Sequence, residues 1–508
     1  MNKSCNQDRR RFLATGGALG ALAALPGLAR SATGSLTELS AVEAVAAIGN
    51  GELRAEDYAR ALVERCEKLK QLNAFISLDR DAVLEAARAV DQSRARAAPL
   101  GALSGLPIPI KDSICTAALP TTSGTRALRG FRPGADAEIW KRLSNAQAVL
   151  LGKNNLHEMS MGWTSANQAF GPVRNPYDPA RIPGGSSGGT AAAIAARMAP
   201  VGIGEDTNGS IRVPAAMCGI AGLRPTHGRY PGRGIVPLAP TLDTVGPMAR
   251  AVSDLCLIDA VVTGGPMVTA PTELRGIRFG VSRRHYFSDL DPGVELVMEQ
   301  VLARLRGAGA TIVEAEIPGL AELVSKITVP IIYYEARRSL SRFLAEQAAP
   351  VDFTQLVEAL SPDIRKPINE WALADSPKAI TDQAYQEAIQ QFRPALQATW
   401  RNYFREHRVA AVVAPVVRMP APLIPDPPAS PGFNVEINGI IVPARTAFAR
   451  NIAPSSSAGL PSIVLPGGMT NGLPVGVEFD GPEGSDRELL ALALAIERVL
   501  DPIPAPQV

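Results

Sequence analysis

Residues 181–198 read RIPGGSSGGTAAAIAARM, with four glycines around two serines directly ahead of an alanine-rich helical segment. Glycine allows backbone angles and close approaches that side chains forbid, so this loop suits a phosphate cradle, a flexible linker or part of a catalytic site. A P-loop needs a lysine followed by serine or threonine after its glycines, and a dinucleotide loop needs the spacing G-x-G-x-x-G. Neither pattern is present in the loop, which disfavours a phosphate cradle.

Short apolar runs alternate with helical patterns on both sides of this loop. The runs include GLPIPIKD, AVLLGK, APVGIGED, GIRFGVS and VAAVVAP, and fully apolar strands are typical of a sheet covered on both faces. The sequence therefore predicts an α/β fold: a single large domain with a mixed, mostly parallel central β-sheet covered by helices on both faces. We expect a helical annex at residues 36–70, opened by a serine cap at Ser35, and a main domain at 71–500.

Two segments of the main domain are expected to vary most. Residues 320–440 form a variable insertion that we expect to face the substrate, with mostly helical patterns over its first part. Within it, residues 418–435 read RMPAPLIPDPPASPGFNV, which contains too many prolines for regular structure and predicts a surface loop.

The N-terminus resembles a targeting segment. Arg9, Arg10, Phe12 and Leu13 match the pattern of a twin-arginine export signal, and a mildly apolar stretch and small residues follow, with a plausible cleavage site after Ala29. We therefore expect residues 1–29 to engage the twin-arginine translocase and the mature chain to be periplasmic or secreted. Without this segment the formal charge falls from +2 to −1, so we expect no nucleic-acid partner and no stable membrane association after export.

The cysteines and histidines do not form a metal-binding pattern. Outside the N-terminal segment the cysteines are Cys66, Cys115, Cys218 and Cys256, which show no CxxC spacing. We expect them to be small core residues, with a disulfide left open. The chain has only four scattered histidines, so we expect no zinc site. Nor do we expect any other metal or an organic cofactor, because serine and lysine can supply both a nucleophile and a base.

Two other stretches place a reactive side chain beside glycine or at the end of a strand. GLPIPIKD, residues 105–112, delivers Lys111 to the end of an apolar strand, and GEDTNGSIRVPAAMCG, residues 204–219, sets Ser210 after a glycine turn. That turn would aim the amides of Thr207, Asn208, Gly209 and Ser210 into one concavity, which suits an oxyanion. Taken singly, each stretch has a plain alternative: a solvated or salt-bridged lysine, a pair of helix-capping serines and an ordinary turn.

Together the three stretches resemble the amidase signature family of serine hydrolases. The resemblance rests on GLPIPIKD, PGGSSGG, DTNGSIRVP and CGIAGLRPT and runs from about residue 40 to 499. It implies a Ser–cis-Ser–Lys triad, with Ser210 as nucleophile, Ser186 as the bridging serine after a cis peptide bond, and Lys111 as base. It also implies an oxyanion hole at residues 207–210. The chemistry is sound, because burial lowers the pKa of an amine and lets lysine accept a proton.

Other residues are assigned supporting roles. Ser187 is expected to hold the serine loop by hydrogen bonding, while Asp206 and Arg212 hold the nucleophile turn, with a surface salt bridge as the alternative. Asn208 stands where many family members have glycine; asparagine tolerates left-handed backbone angles, and its side chain is expected to shape the pocket. Met159 and Trp163 are tentative walls of that pocket.

The resemblance is strongest to the mandelamide and indoleacetamide hydrolase branch of the family. It implies hydrolysis of a small arylacetamide-like primary amide to carboxylate and ammonia. Three alternatives stay open: an exported peptide amidase, the catalytic subunit of a tRNA-dependent amidotransferase, and a Ser-His-Asp hydrolase. The amidotransferase conflicts with an export signal. The last lacks a G-x-S-x-G elbow, and its late histidine, His407, is expected at the exposed end of a helix.

Overall fold

The computed structural model describes residues 35–271 and 273–508. The predicted export segment, residues 1–29, lies outside the described residues. Residues 36–508 form one compact unit, so the expected single large domain is confirmed.

The core of this unit is a sheet of eleven strands in the order β1-β3-β2-β4-β6-β5-β12-β13-β9-β7-β8. A separate hairpin pairs β10 with β11. In chain order the strands are β1 (Phe75–Ser77), β2 (Pro107–Lys111), β3 (Val149–Asn154), β4 (Val201–Asp206), β5 (Ala221–Arg224), β6 (Thr244–Ala249), β7 (Arg278–Val281), β8 (Thr311–Glu314), β9 (Ala411–Pro415), β10 (Asn434–Ile437), β11 (Ile440–Pro443), β12 (Ser462–Thr470) and β13 (Leu473–Asp480).

The sheet is mixed, as expected, but the prediction that it is mostly parallel is wrong. Parallel pairing is confined to two stretches, β3-β2-β4 and β9-β7-β8. The strands between them, and β1 at one edge, pair antiparallel. One of the antiparallel pairs has a local cause: β12 and β13 are joined by Asn471 and Gly472, both with positive φ. An Asn-Gly pair of this kind turns the chain straight back into a hairpin.

Helices cover the sheet and supply the regions around it. They are α1 (Ala41–Asn50), α2 (Ala55–Lys68), α3 (Arg80–Ala95), α4 (Glu138–Asn145), α5 (Gly188–Ala195), α6 (Arg212–Met217), α7 (Val252–Thr263), α8 (Arg283–Tyr286), α9 (Pro292–Gly307), α10 (Leu320–Glu346), α11 (Phe353–Ala359), α12 (Pro362–Trp371), α13 (Asp382–Glu387), α14 (Arg393–His407), α15 (Ala444–Ala449), α16 (Ala453–Ala458) and α17 (Asp486–Glu497).

The first helix begins later than predicted. Residues Leu36–Glu38 form a single 3₁₀ turn, and Ser40, not Ser35, caps α1. Ser40 Oγ accepts the amide of Glu43, while the Glu43 carboxylate accepts the amide of Ser40. This reciprocal capping box satisfies two N–H groups at the helix start. It explains why the helix starts after Ser40, which stands three residues before a glutamate, and not after Ser35.

The alanines of the opening stretch allow close packing under the site. Every residue of α5 is buried, and the helix packs on β2, β4 and β6. At Gly189 an added Cβ would lie 2.2 Å from the Asn155 carbonyl oxygen, so this glycine is required by close backbone contact. The small side chains therefore seat the serine loop directly on the sheet.

The remaining expectations for the fold concern the insertion, the cysteines and the membrane. Residues 320–410 are mostly helical. The proline-rich loop that follows β9 contains no helix or strand until β10 begins at Asn434. The four cysteines, Cys66, Cys115, Cys218 and Cys256, are free thiols and buried. Across residues 35–271 and 273–508 the helices are too short or too polar to cross a membrane.

Candidate active site

The serine loop and Lys111 meet at the carboxyl end of β2. Lys111 is fully buried, and its Nζ donates to Ser186 Oγ at 2.7 Å. The peptide bond between Gly185 and Ser186 is cis. A solvated lysine is therefore wrong, because the parallel pairing of β2 with β3 and β4 encloses the strand end on both sides. The salt-bridged alternative agrees with the structure, since Lys111 pairs with Glu205.

Ser187 joins the loop to the turn that carries Ser210. Its amide donates to the Ser210 carbonyl oxygen at 3.1 Å. Its hydroxyl donates to the Glu205 carbonyl oxygen at 3.1 Å and lies 3.3 Å from the Glu205 amide. Ser187 occupies the N-cap position of α5 but makes no capping hydrogen bond with its side chain. The helix-capping interpretation is wrong for this residue because its hydroxyl is engaged by β4 instead.

Ser210 lies at the end of a glycine turn between β4 and α6. Gly209 has φ of +93°, and a Cβ there would lie 1.8 Å from Ile452 Cδ1, so the position accepts only glycine. Ser210 is 4% exposed and lines a cavity. The turn therefore presents the Ser210 side chain at the floor of that cavity while the backbone passes under it.

Asp206 fixes this turn from below. Its carboxylate accepts the amides of Gly209 (2.7 Å) and Ile211 (3.1 Å), and it pairs with Arg212 (3.1 Å) and Arg224 (2.8 Å). All three charged side chains are fully buried, so the surface salt bridge considered as an alternative is wrong. Burial alone would raise the pKa of Asp206, but the two guanidiniums and the Gly209 amide outweigh it and hold that pKa well below its usual range.

Arg212 extends the network to the far end of the chain. Its guanidinium donates to Glu478 on β13 at 2.6 Å and to Ser455 and Ser456 on α16. An isolated buried charge is costly, but one with this number of partners is tolerated. The network ties the turn that carries Ser210 to the antiparallel part of the sheet.

The four amides expected to form an oxyanion hole are not equivalent. The Gly209 amide already donates to Asp206, so it is not aimed at the cavity. Thr207, Asn208 and Ser210 line the cavity. Asn208 is not among the residues with positive φ, so the left-handed tolerance expected of asparagine is not used here. The Asn208 carbonyl oxygen accepts the indole N–H of Trp163 at 3.2 Å.

This contact makes Trp163 a brace as well as a wall. Replacing Trp163 by phenylalanine keeps an aromatic wall but removes the hydrogen bond to the Asn208 carbonyl, and a buried hydrogen bond contributes about 1 kcal/mol. We expect kcat to fall about fivefold with little change in KM, measured by steady-state ammonia release. Trp163→Tyr is the matched control, because it keeps an aromatic ring that carries a polar hydrogen-bond donor. A rise in KM with kcat unchanged would show that Trp163 contacts only the substrate.

A carboxylate that the sequence analysis did not single out lies beside Lys111. Glu205 on β4 is 1% exposed, and its Oε2 lies 2.8 Å from Lys111 Nζ. The meeting follows from the parallel pairing of β2 and β4, whose carboxyl ends share one edge of the sheet. The sequence did offer a signal for Glu205, which is an acidic residue in the apolar run VGIGED. A strand buried on both faces tolerates such a residue only when it has a partner.

The cavity above Ser210 has a volume of about 440 Å³, within the usual range for a small-ligand site. Its main wall is one face of α10, and residues from the loop after β3, from α12 and from α15 complete it. Its larger apolar and aromatic side chains are Met161, Trp163, Leu238, Val324, Val329, Ile332, Tyr333 and Trp371. The expectation that the 320–440 insertion faces this site agrees with the position of α10 and α12.

Met159 does not line the cavity, so its assignment as a pocket wall is wrong. It is 4% exposed and packs in the hydrophobic core, whereas Met161, two residues later, lines the cavity. The short 3₁₀ turn Glu158–Ser160 rotates the side chains, which residue type alone does not reveal.

The histidine rings have partners other than Ser210. His157 lies 3.2 Å from Asp363 and 3.1 Å from Thr164, and His227 contacts the Pro240 carbonyl oxygen. His285, which the sequence analysis did not assign to the pocket, lines the cavity and contacts the Arg450 carbonyl oxygen at 3.2 Å. His407 ends α14. The described contacts therefore provide no Ser-His-Asp triad.

The comparison with protein families agrees with the three motifs. A family model described as Amidase matches residues 57–490. The chain belongs to the amidase signature family. It is a carbon–nitrogen hydrolase that acts on amide bonds.

Relatives of this enzyme include hydrolases of small aromatic amides. It is 41% identical to an indoleacetamide hydrolase of Agrobacterium vitis, over 88% of this chain and 95% of that protein. It is 35% identical to a mandelamide hydrolase of Pseudomonas putida, over 91% and 92% of the two chains. A solved peptide amidase in complex with the competitive inhibitor chymostatin matches with a TM-score of 0.80 and 29% identity, over 93% and 99% of the chains.

Proposed function

We propose that this amidase hydrolyses a small arylacetamide-like primary amide to a carboxylate and ammonia through an acyl-enzyme on Ser210. The observation that carries the proposal is Ser210 on the floor of an apolar, aromatic-walled cavity, with the buried Lys111–Ser186 contact behind it. The similarity to indoleacetamide and mandelamide hydrolases supports the same substrate class.

In the proposed mechanism Ser210 Oγ attacks the carbonyl carbon of the amide. Its proton passes to Ser186 Oγ, and the Ser186 proton passes to Lys111. The tetrahedral oxyanion is stabilised by amides of Thr207, Asn208 and Ser210, and the Asp206 network keeps their turn fixed. The proton returns by the same route to the leaving nitrogen, which departs as ammonia, and water then attacks the acyl-enzyme to release the carboxylate.

An exported peptide amidase is the second candidate. A hollow of about 490 Å³ adjoins the cavity, and Trp163, Tyr333, Trp371 and Arg445 line both. A longer acyl chain would have room there, and the match to a solved peptide amidase supports this candidate. Export itself stays a prediction from residues 1–29, and the tRNA-dependent amidotransferase is disfavoured on that ground.

Substrate competition decides between the two candidates. We expect kcat/KM for phenylacetamide and indole-3-acetamide to exceed that for hexanamide by about tenfold, because an aromatic wall adds roughly 0.5–1.5 kcal/mol beyond area burial. The measurement is initial-rate ammonia release with each amide and with a peptide that carries a C-terminal amide. A higher kcat/KM for the peptide amide would replace the arylacetamide proposal by the peptide amidase.

A further inference from the structure

The buried ion pair with Glu205 indicates that Lys111 is an ammonium rather than a free amine. Its Nζ has three oxygen partners: Ser186 Oγ at 2.7 Å, Glu205 Oε2 at 2.8 Å and the Glu205 carbonyl oxygen at 3.3 Å. Ser186 Oγ can donate as well as accept, so these contacts alone also fit an amine. The buried Glu205 carboxylate, whose ion-pair partner is Lys111, requires the ammonium form. A lysine that already holds three protons cannot take another from Ser186 unless it passes one on.

Glu205 is the group placed to receive that proton. Its Oε2 faces Lys111, and its Oε1 contacts the Thr207 hydroxyl at 3.0 Å. The same hydroxyl lies 2.6 Å from Asp243 Oδ1. A hydroxyl has one hydrogen, so it donates to one carboxylate and must accept a proton from the other. The carboxyl groups of Glu205 and Asp243 therefore both contact the Thr207 hydroxyl, and one of the two carboxyl groups carries a proton of its own.

The electrostatics place this further proton on Asp243. Burial, reinforced by the Glu205 carboxylate, raises the pKa of Asp243. A protonated Asp243 donates to Thr207 Oγ1, and Thr207 then donates to Glu205 Oε1. Every contact in the chain is then satisfied, and Glu205 remains an anionic acceptor beside the Lys111 ammonium.

We propose that Glu205 is the terminal proton acceptor of the reaction and that Lys111 acts as a relay between Ser186 and Glu205. The inference rests on the proposed triad. When Ser210 attacks, a Lys111 proton passes to Glu205 Oε2, and the amine group turns to present the freed lone pair to Ser186. That lone pair takes the Ser186 proton as Ser186 Oγ takes the proton of Ser210. When the tetrahedral intermediate collapses, the three transfers reverse and the proton leaves on ammonia. Lys111 begins and ends each cycle as an ammonium.

The charged groups around this relay are few and mutually paired. Asp206, next on β4, is held by Arg212 and Arg224. Asp112, directly after β2, is paired with the buried Lys153 at 3.2 Å. Because each of these charges has its own partner, Glu205 and Asp243 are the carboxyls that share the proton of the relay.

The glutamine variant Glu205→Gln tests the proposal by the direction in which the pH profile moves. Without the carboxylate, the Lys111 ammonium must lose its own proton before it can act as base, and ammonium groups titrate above carboxyl groups. We expect the acid limb of kcat/KM to move to higher pH by at least about one unit, with at least about a tenfold loss at pH 7 that alkaline pH recovers. If Glu205 were only a counter-ion, its removal would favour the neutral amine and move the limb to lower pH, which would overturn the proposal.

The wild-type enzyme gives a readout that does not depend on the folding of a variant. A carboxyl acceptor requires an acid limb below about pH 7, whereas a lysine that must first deprotonate beside a carboxylate requires one above about pH 8, and the second result would contradict the relay. Ser210→Ala separates the two proposals. Full activity in that variant overturns the triad itself. If Ser210→Ala is inactive and the acid limb of kcat/KM in Glu205→Gln moves to lower pH, only the role of Glu205 is overturned.

Discussion

Replacing Ser210 by alanine is expected to lower kcat/KM for amide hydrolysis by at least about 10⁴-fold, because the nucleophile is lost while the cavity and the turn remain. The Ser210 side chain is on the floor of the cavity, and the hydrogen bonds that hold its turn run through the backbone and Asp206. The variant should therefore fold with an unchanged melting temperature. Single-turnover assays with indole-3-acetamide provide the measurement.

The control for this prediction is another serine of the same cavity. Ser325 on α10 lines the wall, and its hydroxyl donates to the Glu322 carbonyl oxygen of its own helix. Ser325→Ala should change kcat/KM by less than about threefold, since such local bonds contribute little. The double variant Ser186→Ala/Ser210→Ala should be no slower than Ser210→Ala alone, as expected for residues that act as one unit. Retention of more than a tenth of the activity in Ser210→Ala would refute the nucleophile assignment.

Replacing Asp206 by asparagine is expected to lower the free energy of unfolding by about 3–5 kcal/mol, the usual cost of removing one partner from a buried ion pair. The substitution leaves Arg224 without its carboxylate partner and Arg212 with Glu478 alone. Asparagine also cannot accept both the Gly209 and Ile211 amides. Urea denaturation followed by circular dichroism provides the measurement, with the dependence on urea concentration compared between the proteins.

The pH dependence of this effect has a defined sign. The pKa of Asp206 is lower in the folded chain than in the unfolded one, so its stabilisation is present above the unfolded value near pH 4 and is lost as the pH falls further. The difference between wild type and variant should be full at neutral pH and shrink in acid. Asp382→Asn is the control, because its exposed pair with Arg338 should contribute less than about 1 kcal/mol. An equal effect of both substitutions would contradict the role assigned to the Asp206 network.

Much of this site follows from local sequence patterns. The apolar run before Lys111 predicts a buried strand end, and the glycines before Ser210 predict a tight turn, because both depend on residues adjacent in the chain. The same holds for α5, whose small side chains predict close packing under the serine loop. These features depend on backbone geometry and on side-chain size, which a short window of sequence displays.

Other features depend on which strands become neighbours, and no short window shows that. Glu205 lies beside Lys111 only because β2 and β4 pair in parallel, and Arg212 finds Glu478 across 266 positions of the chain. Met161 lines the cavity while Met159 lies in the core, since one 3₁₀ turn sets their directions.

The sequence by itself therefore determined the candidate site motifs, their turns and the α/β class. Tertiary structure alone decided which distant strands became neighbours, the wall that α10 gives the cavity, and the carboxylate that faces Lys111. The physical reason is that hydrophobic periodicity indicates which residues are buried, whereas the partner of a buried charge depends on packing across the whole domain.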